Sequence, residues 1–421
     1  MTSPAGQANE SASGEQARSM ADAVARRSYG KLVAFLAVRA GDVAAAEDAL
    51  SEAFAAALAD WPLRGCPANP EGWLLTAARR KLIDAARRRR SAIQAMPQLQ
   101  LLAEGPAAED AEIPDQRLAL MFVCAHPAIE AGIRAPLILQ AVLGLDAKTI
   151  ASAFLTSPAA MSKRLVRAKE KIRQAGIPFV VPERAELPGR LEAVLDAIYA
   201  AFAEGWTDPG GTDAARRDLT EEALFLARLL ATLLPEEPEA LGLAALMLYA
   251  EARRGARRTA DGEYVPLTGQ DPARWDAAMI AAAEELLRRA GAMGRMGRRQ
   301  LEAALQSAHV ERCRTGRNNW AEVVSLYDAL LALGGSPVVA LNRALALAEV
   351  RGAEAGLAAV EELADDARMA QYQPWWAARA DLAARTGDHA KARRAYGIAI
   401  GFAQDPAVRQ FLQRRLEAVP E

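Results

Sequence analysis

Cysteine and histidine are scarce, with three of each in 421 residues. Cys66, Cys124 and Cys313 are far apart and form no C-x-x-C pair. That argues against a disulfide framework or a zinc site and fits a reducing cytoplasm. Cys124-Ala125-His126 lacks a second ligand pair and reads as structural, and His309 and His389 are isolated. Aromatic residues are only 5% of the chain and Val and Ile are sparse, so strand formers are few where Ala and Leu abound. An all-α protein is expected. No apolar run approaches the roughly 18 residues of a membrane span. MTSPAGQANESASGEQA has no apolar h-region, so residues 1–19 read as a disordered lead-in and not as a signal peptide. A nucleophile elbow, a Walker loop and a G-x-G-x-x-G turn are all missing. The sequence supports neither enzyme chemistry nor a cofactor.

Positive charge is present but unevenly spread. Residues 1–180 hold 22 Lys/Arg against 18 Asp/Glu, and residues 181–421 hold 29 against 35. The formal net charge of −2 therefore hides a basic first part, where a polyanion would bind. Within it, GWLLTAARRKLIDAARRRR (72–90) carries seven Lys/Arg in its last twelve residues, with Asp84 the only acid there.

Length points to two to four domains. Residues 20–60 read as two helices broken at Ala40-Gly41-Asp42, with Asp42 a candidate N-cap. WPLRGCPANPEG (61–72) is a Pro/Gly loop. The 72–90 helix follows. Residues 91–114, with Pro, Gly and an acidic stretch, form a linker, and a second helical unit spans 115–177. Pro178, Pro182 and Pro188 mark a boundary before a long helical part, 185–310. Over 311–421 a period of 34–35 residues brings Val323, Leu357 and Ala392, then Leu330, Ala364 and Ala399, into register. Trp376, Gly387-Asp388-His389, Ala392, Tyr396 and Ala399 have the spacing of a tetratricopeptide (TPR) helix pair, whose stacked units bind peptides or proteins. A non-repeating helical bundle is the competing reading.

Two basic helices carry the functional signal. In the first, Leu75, Ala78, Leu82 and Ala86 form an apolar stripe, while Trp73, Arg80 and Arg87 share the opposite azimuth beside Arg79. Asp84 can pair with the neighbouring arginines. Forked guanidinium donors suit phosphates and an exposed indole suits an unpaired base, although Trp73 packed in a core with solvated arginines fits the pattern too. In the second, Ser157 is a good N-cap and Pro158 suits the first helical position. Met161, Leu165, Ala168 and Ile172 form the buried stripe, and Lys163, Arg164, Arg167 and Lys171 cluster on another face. With a small-residue helix at about 147–154 this is a helix-turn-helix pattern, with a generic three-helix bundle as the alternative.

The two modules and their linker resemble regions 2 and 4 of a bacterial sigma-70 family factor of the extracytoplasmic-function (ECF) group. Glu47-Asp48, the 61–71 loop, Trp73-Leu74, Ala78-Arg79 and Asp84 with Arg87 match the region 2 pattern. Arg164-Leu165-Val166-Arg167-Ala168-Lys169 matches the end of region 4. PANPEGWLLTAARR, AGIPFVVPERAELPGRLEAVLDAIYAAF, LLPEEPEALGLAALML and SPVVALNRALALAEV resemble the subgroup with a long C-terminal extension ending in TPR-like helices. Ala203-Glu204-Gly205-Trp206 stands where that subgroup often has Asn-Glu-Gly-Tyr, and Ala125 replaces a frequent second Cys.

The resemblance implies a cytoplasmic promoter-specificity subunit whose partners are core RNA polymerase and promoter DNA. Glu47, Asp48 and Glu52 would meet the polymerase clamp. Asn69, Trp73, Arg79, Arg80, Arg87 and Arg88 would serve the −10 element. Ser157, Ala160, Lys163, Arg164, Arg167 and Lys171 would serve the −35 element. The C-terminal extension would regulate, with a protein or peptide as a candidate partner of its TPR-like surface. A helix-turn-helix activator with a TPR-like sensor, or a TPR scaffold with incidental basic helices, are the other readings.

Overall fold

The computed structural model describes residues 4–88, 113–154, 156–183, 186–206 and 214–420. Helix is the regular secondary structure of the described residues, with no strand beyond an isolated bridge between Arg258 and Tyr264. They divide into two compact units that part after Leu226. Most of the expected 91–114 linker lies outside the described residues.

In the first unit, α1 (Pro4–Ala40), α2 (Val43–Arg64) and α3 (Pro70–Arg88) pack together. The helix α1 begins at Pro4, well before the position near residue 20 expected from sequence. Its first half is rich in helix formers, and Ala17 and Ala21 are buried. The break at Gly41 is as expected: the Asp42 carboxylate accepts the Ala45 N–H at 3.1 Å and starts α2. The helix α2 runs past its expected end through Pro62 to Arg64, so the loop is only 65–69. A proline so near the C-terminus interrupts little of the ladder, and Trp61, 1% exposed, anchors that last turn in the core.

Next come α4 (Arg117–Cys124), α5 (Ala131–Leu143), α6 (Ala147–Ala153) and α7 (Pro158–Gln174). The helix α8 (Leu187–Trp206) packs on α4 and α5, and Arg190 Nη2 donates to the Phe122 carbonyl at 3.0 Å. The compact division therefore falls inside α9 (Ala214–Leu233), after Leu226, instead of at Pro178–Pro188. Helices α1 and α5 cross very closely. Gly30 lies against the Val142 carbonyl, leaving no room for a Cβ, and Gly144, at φ 75°, lies under the Tyr29 ring.

The second unit is built around α10 (Pro238–Ala252), buried from Ala240 to Tyr249 between α11 (Ala277–Ala292) and α12 (Arg298–Thr315). The Glu239 carboxylate accepts the backbone N–H groups of Arg299 and Gln300 at 2.8 and 3.2 Å, tying α10 to the start of α12. Then follow α13 (Trp320–Leu333), α14 (Pro337–Arg351), α15 (Ala353–Glu361), α16 (Gln373–Arg385), α17 (His389–Phe402) and α18 (Pro406–Glu417). Three successive small cores pass from α12–α14, to α14–α16, to α16–α18. Val323, Leu330, Ala392 and Ala399 are buried at their aligned positions, but Ala364 is exposed. The short α15 has ended by then, and its buried positions are Gly356 and Val360.

Candidate nucleic-acid interface

The helix α3 buries Leu75, Ala78 and Leu82 as its periodicity requires, and Leu74 as well. Asn69 starts it: its Oδ1 accepts the Gly72 N–H at 2.9 Å. The Asn69 side chain is thus the cap of α3. Trp73 is half-buried, edge-on to Trp61 with ring centroids 5.6 Å apart. Arg80 is exposed, and Lys81 pairs with Glu52 at 3.0 Å. Arg79 behaves differently. Its guanidinium lies 5.0 Å from the Phe35 ring centroid on α1, and Arg39 stacks on the same ring at 3.7 Å. Arg79 Nε and Nη2 are buried with no acceptor. Burial pulls both guanidiniums below their usual pKa, and the charge of Arg79 adds to the cost for Arg39. Two like charges thus share one ring, and the unused donors of Arg79 are buried beside it. Arg39 and Phe35 escaped the sequence pattern because they lie on a different helix. The side chains of Arg87 and Arg88 lie outside the described residues.

The second basic helix follows its sequence closely. Ser157 Oγ accepts the Ala160 N–H at 3.2 Å, with Pro158 at the first turn. Met161, Leu165, Ala168 and Ile172 are all buried. Ser157, Lys163, Arg167 and Lys171 are exposed, while Ala160 and Arg164 are half-buried. Arg164 points to Glu130 at 3.6 Å. The preceding α6 is started by Asp146, whose carboxylate accepts the Lys148 and Thr149 N–H groups, each at 2.8 Å. Those bonds hold its pKa below the usual carboxylate range.

The acidic residues of α2 face two ways. Asp48 and Glu52 border a shallow groove against Lys81 and Leu82 of α3. Glu47 turns to α7, where it forms a largely buried ion pair with Lys169. Burial raises the Glu47 carboxyl, and Lys169 partly opposes that rise.

Residues 24–92, spanning most of α1 to α3, match sigma-70 region 2. That stretch is a sigma-70 region 2 domain. A domain of this kind supports a role in promoter recognition and implies core RNA polymerase and promoter DNA as partners. Residues 190–291 match a family of unknown function (DUF6596), which straddles the division between the two units. Uncharacterized protein R00370 of Rhizobium meliloti (strain 1021) is 38% identical over 380 residues, 88% of this chain and 89% of its own length. The chain belongs with it to one family across nearly the whole length. No solved structure matches the chain. Sigma region 2 thus takes in both the Phe35 ring and the cap, indole and arginines of α3.

Proposed function

We propose that this protein is an ECF-type sigma factor of the sigma-70 family. Region 2 (20–90) serves the −10 element and region 4 (115–177) serves the −35 element as a helix-turn-helix. The helical extension (185–310) and TPR-like repeats (311–421) regulate it in the cytoplasm, where a protein or peptide is the candidate partner of the repeats. The carrying observation is the region 2 match on a helix bundle that presents basic side chains on α3. A plain activator has no need of that second basic bundle.

In this reading Asn69 holds the loop geometry and orients the start of α3, where the −10 strand separates. Trp73, backed by Trp61, forms the wall of that site. Arg79 with Arg39 takes a phosphate, and Arg80, Arg87 and Arg88 extend the basic track. Flipping a base costs a few kcal/mol, which these contacts and polymerase binding must offset. In region 4, Ser157 and Ala160 at the helix start approach base edges, while Lys163, Arg164, Arg167 and Lys171 meet phosphates. Asp48 and Glu52 face the polymerase clamp directly. Glu47 joins them once α7 leaves α2.

Reconstitution with core RNA polymerase tests the reading. On a pooled library of promoter-sized DNA fragments, the protein should yield discrete transcript starts that core polymerase alone does not. Duplex binding without core binding would favour the activator, and no DNA binding at all would favour a scaffold.

A further inference from the structure

In the second unit, the end of α10 meets α12, and α12 meets α13, at a cluster that promoter recognition does not use. Arg253 donates from Nε to the Tyr249 carbonyl at 3.2 Å and from Nη2 to Gln306 Oε1. Arg312 lies 3.7 Å over the Trp320 ring and donates to Asn319 Oδ1 at 3.1 Å. Its Nη2 lies 2.7 Å from His309 Nδ1. A guanidinium cannot accept, so Nδ1 accepts and the His309 proton sits on Nε2 of a neutral ring. Every hydrogen-bond partner of these two arginines is uncharged.

The nearby carboxylates are already engaged by other arginines. Glu251 pairs with Arg254 at 2.9 Å, Asp405 pairs with Arg258, and Glu349 pairs with Arg385 at 2.8 Å. Burial, with Arg257 adding its charge, pulls Arg253 down to about 10. Burial, Arg312 and Arg253 together push His309 down to about 4. Partly buried positive charge without a counter-charge is costly. The hydrogen bonds of Arg253 run from Nε and Nη2 and that of His309 is at Nδ1, which leaves Arg253 Nη1 and His309 Nε2 as the donors for a ligand.

We propose that Arg253, Arg312 and His309 form a binding site for an oxyanion, the carboxylate or phosphate group of a small ligand. Forked guanidinium donors fit either group, and the His309 N–H adds a third direction. The site belongs to the second unit alone and does not depend on the promoter reading.

The test uses the full chain with labelled histidine rings, whose three signals are sorted by His309→Gln. Sodium phosphate and sodium acetate are titrated separately at an ionic strength held constant with chloride. The expected result is a saturating shift of the His309 signal and a higher His309 pKa in the bound state. Tighter saturation by phosphate assigns a phosphate ligand, and tighter saturation by acetate assigns a carboxylate. Arg253→Lys keeps the charge and loses the fork, so binding should weaken about tenfold or more, the loss of one charge-assisted hydrogen bond. Arg312→Gln should abolish saturation while the other two histidine signals keep their folded positions. A response to both anions no different from chloride, or saturation unchanged in Arg253→Lys, overturns the proposal.

Discussion

Arg164 and Arg167 lie about one turn apart on α7 and meet different surroundings. Arg167 stands in solvent, while Arg164 is half-buried against Glu130. If both met phosphate equally, each loss would lower the slope of log affinity against log salt by about 0.9. Arg164 must first leave Glu130, so, with α7 on the −35 duplex as proposed, Arg167→Ala should lower the slope by close to that amount and Arg164→Ala by less. Filter binding across a salt series reads the difference, and equal slopes for the two variants would remove the distinction. His309 gives a residue-scale pH effect. Its folded pKa of about 4 lies below its ordinary value of about 6.5, so the unfolded chain takes the proton first. Arg312 from its own helix, Arg253 from α10 and the Trp320 ring from α13 are the groups that face it. The His309 contribution to stability is complete above about pH 6.5 and is lost as pH falls toward 4. Unfolding midpoints of wild type should therefore drop over that window, and His309→Gln should flatten the drop.

Among the elements, α1 and α5 show how small residues set distance. Gly30 lets α1 approach the Val142 carbonyl at the end of α5, and the Tyr29 ring beside it covers Gly144. Gly30→Ala places a methyl group where that carbonyl sits. Overpacking of this kind costs about 1–3 kcal/mol. The midpoint of denaturant unfolding should fall accordingly, with protease cutting first between α4 and α7. The same logic works in the second unit, where Gly242 lies against the Gln300 backbone N at 2.7 Å from a would-be Cβ and Gly356 lies against Ala348. The amphipathic pattern of α7 was fully legible, since Met161, Leu165, Ala168 and Ile172 are the buried positions their spacing required. The loop before α3 was less so. Proline and glycine content suggested 61–71, whereas burial of Trp61 carried α2 to Arg64.

For the first unit as a whole, the Glu47–Lys169 pair joins α2 to α7 across 122 residues of sequence. In the proposed function, the helix that would face polymerase thus has a carboxylate occupied by the helix that would read the −35 element. Lys169→Ala should release α7 and raise affinity for core polymerase, measured by fluorescence anisotropy of the labelled protein. An affinity below wild type would mean that the pair supports the binding-competent form. Helix class, caps and buried stripes were determined by the sequence alone, because each depends on residues within a few positions of one another. Tertiary structure decided which remaining face meets which partner. It turned Arg79 inward onto Phe35, moved α8 into the first unit and shortened the middle repeat. Periodicity names the apolar side of a helix, but the partner of every other side comes from distant segments, and only packing brings those together.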